Sequence, residues 1–174
     1  MFCAPVRGDA PKAEDEIESK VKDKAGLVKA LKDAAAYREA IDLMLAPYTG
    51  EKIDIVVGME SRGFIFSAPM AYQLNAGLVP VRKLGKLPAE TITVEYALEY
   101  GSNTLEIHRD AIHAGQKVLV VDDLLATGGT VHGTIELVER LKGEVVGLAF
   151  LVELDFLKGR DRLDGRRVTS VIQY

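Results

Sequence analysis

Residues 118–130 read Val118-Leu119-Val120-Val121-Asp122-Asp123-Leu124-Leu125-Ala126-Thr127-Gly128-Gly129-Thr130. Four apolar, mostly β-branched residues predict a strand buried on both faces, as in a parallel sheet. Asp122 and Asp123 stand where that strand, Val118 to Val121, is expected to end, and a turn rich in Gly and Thr follows. Thr134, Leu137, Val138 and Leu141 then recur at helical spacing. In an open α/β sheet, ligands bind where strands end in this way. The N–H groups of a Gly-containing turn at a helix N-terminus suit a phosphate, and the helix dipole favours its charge. Paired carboxylates beside them suit hydroxyls, a Mg²⁺ or a developing positive charge. A sugar phosphate activated for glycosyl transfer combines all of these.

Composition permits such a site without pointing to it. The 174 residues are 48% hydrophobic and 28% charged, ordinary for a soluble globular chain. That length predicts one domain, residues 1–174, with a sizeable core. No apolar run is long enough to span a bilayer, and Met1 to Ala10 lacks the apolar core of a signal peptide. A single cysteine, Cys3, allows no internal disulfide, consistent with a reducing cytoplasm. The net charge of −4 offers no global field for nucleic acid. A polyanionic substrate therefore requires local positive charge.

Residues 11–46 carry apolar side chains at helical spacing, from Ile17 and Val21 to Ile41 and Met44. They predict one or two amphipathic helices that end before Pro47 and Gly50. Ile53 to Val57 reads as a strand, Phe64 to Leu74 as a helix and Leu78 to Val81 as the next strand. Residues 83–103 show no single period, although Thr91 to Tyr96 suits an extended chain. Val145 to Val152 and Val168 to Ile172 complete the strands. This alternation predicts a mainly parallel sheet covered by helices on both faces.

Two further stretches carry candidate chemistry. Gly58-Met59-Glu60-Ser61-Arg62-Gly63 repeats the logic of strand, turn and helix, this time with a guanidinium suited to phosphate oxygens. Two such cradles at one sheet edge suit a ligand phosphorylated at both ends. Arg82, Lys83 and Lys86 place three cations within five residues beside Gly85 and Pro88. Such a cluster is either a solubilising loop or an anion clamp. His108, His113 and His132 lack metal-ligand spacing and read as surface histidines. Cys3 has no evident catalytic partner.

The acids and the Leu-Leu-Ala-Thr-Gly-Gly-Thr ending resemble the 5-phosphoribosyl 1-pyrophosphate (PRPP) motif of type I phosphoribosyltransferases, in the form found among adenine phosphoribosyltransferases. The resemblance runs from about Ile53 to Tyr174. It takes in Tyr96-Ala97-Leu98-Glu99-Tyr100-Gly101, Leu105-Glu106-Ile107, Leu154-Asp155-Phe156-Leu157-Lys158-Gly159-Arg160 and Val171-Ile172-Gln173-Tyr174. It implies the α/β fold of that family: a central, mainly parallel sheet flanked by helices, a flexible lid, and an N-terminal helical or hood region over 1–50 preceding a catalytic core over 53–174. Ala126, Thr127, Gly128, Gly129 and Thr130 would then hold the 5′-phosphate, with Asp122 and Asp123 facing the ribose. Ser61, Arg62, Arg82, Lys83, Lys86 and Tyr100 would serve the pyrophosphate. Glu99 matches the lid glutamate placed near the purine N7. There it would handle a proton and need a raised pKa, which lid closure over a dry site would help create. The implied substrates are adenine and PRPP, the cofactor is Mg²⁺ carried through PRPP oxygens rather than by direct protein ligands, and the implied assembly is a homodimer.

The N-terminal third departs from that family. Its hood normally carries a Phe-Pro-x-x-Gly-Ile/Val-x-Phe-x-Asp-Ile-like segment over the adenine, whereas Lys22 to Asp33 offers no aromatic residue or proline. The adenine-binding residues are therefore left unassigned, and the base is expected to be held weakly. Two alternatives are a phosphoribosyltransferase for another purine and a PRPP-binding regulator without catalysis. A regulator would be expected to add a nucleic-acid-binding domain and to lose the lid. Glu99, Lys83 and Lys86 favour the enzyme.

Overall fold

The structure, a computed structural model, describes residues 31–97 and 102–174. The chain divides into two units, Met1–Ala40 and Ile41–Tyr174, and the whole sheet lies in the second. The predicted helices before residue 31, the hood stretch 22–30, Cys3, Glu99 and Tyr100 all lie outside the described residues. Helix α1 (Ala34–Leu45) falls within the predicted helical region. Asp33 caps it, its Oδ1 accepting the N–H groups of Ala35 and Ala36 at 3.0 and 3.1 Å.

Seven strands follow: β1 (Ile55–Met59), β2 (Gly77–Lys83), β3 (Thr91–Ala97), β4 (Ser102–His108), β5 (Lys117–Leu125), β6 (Glu144–Glu153) and β7 (Val168–Gln173). They form one sheet in the order β3-β4-β2-β1-β5-β6-β7. The five strands from β2 to β7 run parallel. The central β1 is buried at every residue, and β5 from Val118 to Val121. This is why both read as unbroken apolar runs. Helices α2 (Gly63–Leu74) and α3 (Gly129–Arg140) make the crossovers. Helix α3 buries Val131, Thr134, Ile135, Leu137 and Val138. The four apolar ones join Val57, Val81, Ile107, Val120, Leu148 and Phe150 in the core.

Two expectations need correction. The strand predicted to stop at Val121 continues to Leu125, so both acids lie within β5. Leu124 and Leu125 extend the ladder by pairing with Val152 and Glu153. In addition, residues 102–108, given no strand by periodicity, form β4, which pairs antiparallel with β3 and β2. Leu105 and Ile107 alternate with Thr104, Glu106 and His108, the pattern of a strand with one face in the core, but with only two apolar residues the signal is short, and Glu106 on the other face is buried too.

Candidate active site

The site grows from the adjacency of β1 and β5. Their register pairs Gly58 with Val121, so Asp122 and Asp123 stand beside the exit of β1 at Met59 and Glu60. Residues that turn out of β1 therefore meet the acids, although some sixty positions separate them in the chain. Arg62 directs its Nε at Oδ2 of Asp123 in a short, charge-assisted hydrogen bond. Asp123 is only 3% exposed, whereas the Arg62 side chain is 43% exposed. One end of the pair is buried and the other faces solvent.

Asp122 sits against the start of α2. A Cβ on Gly63 would fall 2.8 Å from Asp122 Oδ1 and 2.9 Å from the Val121 carbonyl oxygen. Only a residue without a side chain lets α2 begin so close to β5. The Asp122 carboxylate accepts the Asp123 N–H at 2.9 Å. Burial, and then the charge of Asp123, push its carboxyl well above the ordinary carboxylate range, against the pull of Arg62.

The phosphate turn follows β5. Gly128 takes a left-handed conformation (φ +78°) and caps α3. The leading N–H groups of a helix have no partner inside it, so this turn offers donors and a favourable dipole to an anion. The Thr127 side chain is exposed, and Thr130 Oγ1 lies 3.3 Å from the Tyr96 hydroxyl on β3. A cavity of about 400 Å³ opens beside Gly129, lined also by Tyr96, His132, Glu136 and Arg162. Arg162 carried no signal in the sequence.

The cationic stretch is organised by two carboxylates that sequence reasoning did not assign. Glu60 accepts from Arg82 at 3.2 and 3.3 Å and from the Lys83 N–H at 3.0 Å. Arg82 also donates to the Lys86 carbonyl at 3.0 Å. Glu106 accepts the N–H groups of Lys86 and Leu87, both at 2.7 Å. Burial would raise both carboxyls, but these donors outweigh it and hold both below the ordinary range. Lys83 and Lys86 are exposed, and their ammonium groups make no ion pair among the described residues. Ser61 is exposed in the same turn as Arg62. His113 and His132 are exposed as expected. His108 is half-buried, its Nε2 without a hydrogen-bond partner among the described residues. Its position on β4, opposite Thr91, accounts for that departure.

Residues 28–172 match the phosphoribosyl transferase domain family. The chain belongs to this family. It is 58% identical over 144 residues to the adenine phosphoribosyltransferase of Acidobacterium capsulatum, covering 83% of this chain and 80% of that one. The crystal structure of adenine phosphoribosyltransferase from Rhodothermus marinus aligns with a TM-score of 0.89 at 43% identity, over 95% of this chain and 100% of that one. The Saccharomyces cerevisiae enzyme, complexed with an imino-altritol bisphosphate and adenine, aligns with a TM-score of 0.83 at 35% identity, over 93% and 99%. The type I phosphoribosyltransferase fold expected from the motif is the fold observed. Membership extends to residue 28, upstream of the motifs that carried the resemblance.

Proposed function

We propose that the protein transfers the 5-phosphoribosyl group of PRPP to adenine, releasing pyrophosphate and forming AMP in purine salvage. The observation that carries this reading is the Arg62–Asp123 bond, which joins the turn after β1 to the acids that precede the phosphate turn after β5. A donor phosphorylated at both ends fits across that junction. A nitrogen of the base forms its bond to C1′ while the C1′–O bond breaks, and the electron pair leaves with pyrophosphate. Positive charge develops on the ribose, where Asp122 and Asp123 stabilise it. Arg62, Lys83 and Lys86 take up the negative charge of the leaving group. The proton lost by the base passes through Glu99.

Mg²⁺ suits this donor set, since it takes one or two carboxylate oxygens together with phosphate oxygens and water. Asp122 and Asp123 would lie beside a Mg²⁺ carried mainly by PRPP oxygens, and the ion would supply positive charge against the diphosphate. The assembly is a cytoplasmic homodimer. Ile65 and Tyr72, two turns apart on one face of α2, are 39% and 88% exposed and offer an apolar face to a second copy.

The test is nucleotide formation from adenine, PRPP and Mg²⁺ by the purified chain. Asp122→Asn combined with Asp123→Asn should cut turnover by about 10²-fold or more while leaving the fold intact. Near-normal turnover in that double variant, or full activity in EDTA, would contradict the assignment.

A further inference from the structure

The phosphate turn is backed by a second stretch of chain with no established role. Two short 3-10 helices, Asp155–Leu157 and Gly159–Arg162, follow β6. A Cβ on Gly159 would lie 2.2 Å from the Ala126 carbonyl oxygen, and one on Gly128 would lie 2.6 Å from the Gly159 carbonyl oxygen. The two segments thus meet backbone to backbone. Neither glycine can gain a side chain without displacing the turn.

The residue after Gly159 is tied down on several sides. Arg160 donates from Nε and Nη2 to the two oxygens of Glu153 at 2.5 and 2.6 Å, a bidentate pair. It also reaches the Val168 carbonyl at 3.2 Å and Ser170 Oγ at 3.1 Å. Glu153 ends β6 yet is only 2% exposed, and it also accepts from Ser170 Oγ at 2.6 Å. The buried carboxylate anchors Arg160 to the ends of β6 and β7, and Arg160 in turn fixes Gly159 behind the turn.

We propose that Glu153 and Arg160 are positioning residues for the phosphoribosyl donor, their ion pair holding Gly159 against Ala126 and Gly128 and so setting the aim of the turn's N–H groups. Neither side chain touches the ligand. The inference rests on the turn being the 5′-phosphate cradle. Backbone donors cannot re-aim by changing rotamer, so a displaced turn loses its grip on phosphate. Misplacement by about 1 Å is enough to cost up to about 10²-fold in activity.

The experiment measures ribose 5-phosphate and Mg²⁺–pyrophosphate binding separately, by calorimetry on the full chain, together with steady-state kinetics. Arg160→Met keeps the apolar stem and removes the fork. It should raise Kd for ribose 5-phosphate and KM for PRPP roughly tenfold, with kcat falling less and pyrophosphate affinity within about twofold. Arg160→Lys should recover part of the loss, because it restores charge without bidentate geometry. Glu153→Gln, which keeps the shape of the side chain and removes its charge, should give the same selective loss and carries the test if Arg160→Met fails to fold. Gly159→Ala, which displaces the turn directly, should do so with the ion pair intact. Unchanged ribose 5-phosphate affinity in a folded Arg160→Met, Glu153→Gln or Gly159→Ala variant would overturn the inference. Equal losses for both ligands would do so too, since they would mark a general weakening of the fold. Wild-type protein that bound no ribose 5-phosphate would instead overturn the reading of the turn itself, and this inference with it.

Discussion

Asp122 and Asp123 show how two identical side chains acquire different chemistry from their surroundings. Asp123 is buried but answered by a guanidinium, whereas Asp122 is crowded by burial and by its neighbour's charge. A carboxyl whose pKa is raised by folding contributes stability that is fully present below its unfolded value near 3.8 and lost as pH rises through the folded value. Ionised Asp122 is therefore a stability cost near neutral pH. Asp122→Asn should stabilise the unliganded protein by on the order of 1 kcal/mol at pH 8, about 2–4 °C in Tm, while turnover collapses. The gap should close below pH 4, and a calorimetric Tm series against pH checks it. A variant less stable than wild type at pH 8 would show that Asp122 is not under this strain. Arg62→Ala should raise KM for PRPP about tenfold or more. It also leaves Asp123 buried without its partner, a loss larger than an exposed pair would suffer. None of this pairing was legible in the sequence. Arg62 and Asp123 meet only because β1 and β5 are neighbours, and that neighbourhood belongs to the sheet order.

At the scale of elements, burial on both faces gave the plainest signal, although the less buried β2 and the edge strand β7 were also legible from short apolar runs. β1, β5 and β6 are central strands, and their apolar runs announced them. β3 is an edge strand, with Ile92, Val94 and Tyr96 alternating with Thr91, Thr93 and Glu95, and β4 beside it offers only Leu105 and Ile107 around Glu106. That carboxylate is buried because it closes the cationic loop, accepting two backbone N–H groups and the Thr91 hydroxyl at 3.4 Å. Its folded pKa is lowered, so its contribution is present above the unfolded value near 4.5 and lost as pH falls through the folded one. Glu106→Gln should cost roughly 1–3 kcal/mol at pH 7, and the deficit should shrink below pH 4.5. KM for PRPP should also rise several-fold, because Lys83 and Lys86 ride on the loop that Glu106 pins. A stability loss with KM unchanged would confine Glu106 to the fold.

For the molecule as a whole, the phosphoribosyl half and the base-recognising half stand differently. The turns after β1 and β5 could be read in advance because each is a local unit of strand, glycine-bearing turn and helix, and the sheet then sets the two side by side. A base-recognition surface has no such local grammar. It is assembled from side chains whose spacing is arbitrary, and here Lys22 to Asp33 lacks the aromatic residues of the family's hood. Adenine and guanine differ in the polar edge they present, and rejecting the wrong base requires partners that it would leave unpaired. Without an aromatic platform over the purine, we expect adenine to be held weakly, so KM for adenine should be high while KM for PRPP is ordinary. The decisive measurement offers adenine, guanine, hypoxanthine and xanthine separately to the purified protein with Mg²⁺ and PRPP and follows each nucleotide. AMP alone, formed with a high KM for the base, is the expected result. A different nucleotide would redirect the specificity to another purine, and PRPP binding without product from any base would favour a sensor over an enzyme. Tight use of adenine would contradict the weak binding expected from the stretch over 22–33. Hydrogen bonds would then have to supply the affinity, and the four-base comparison would register them as strong rejection of guanine.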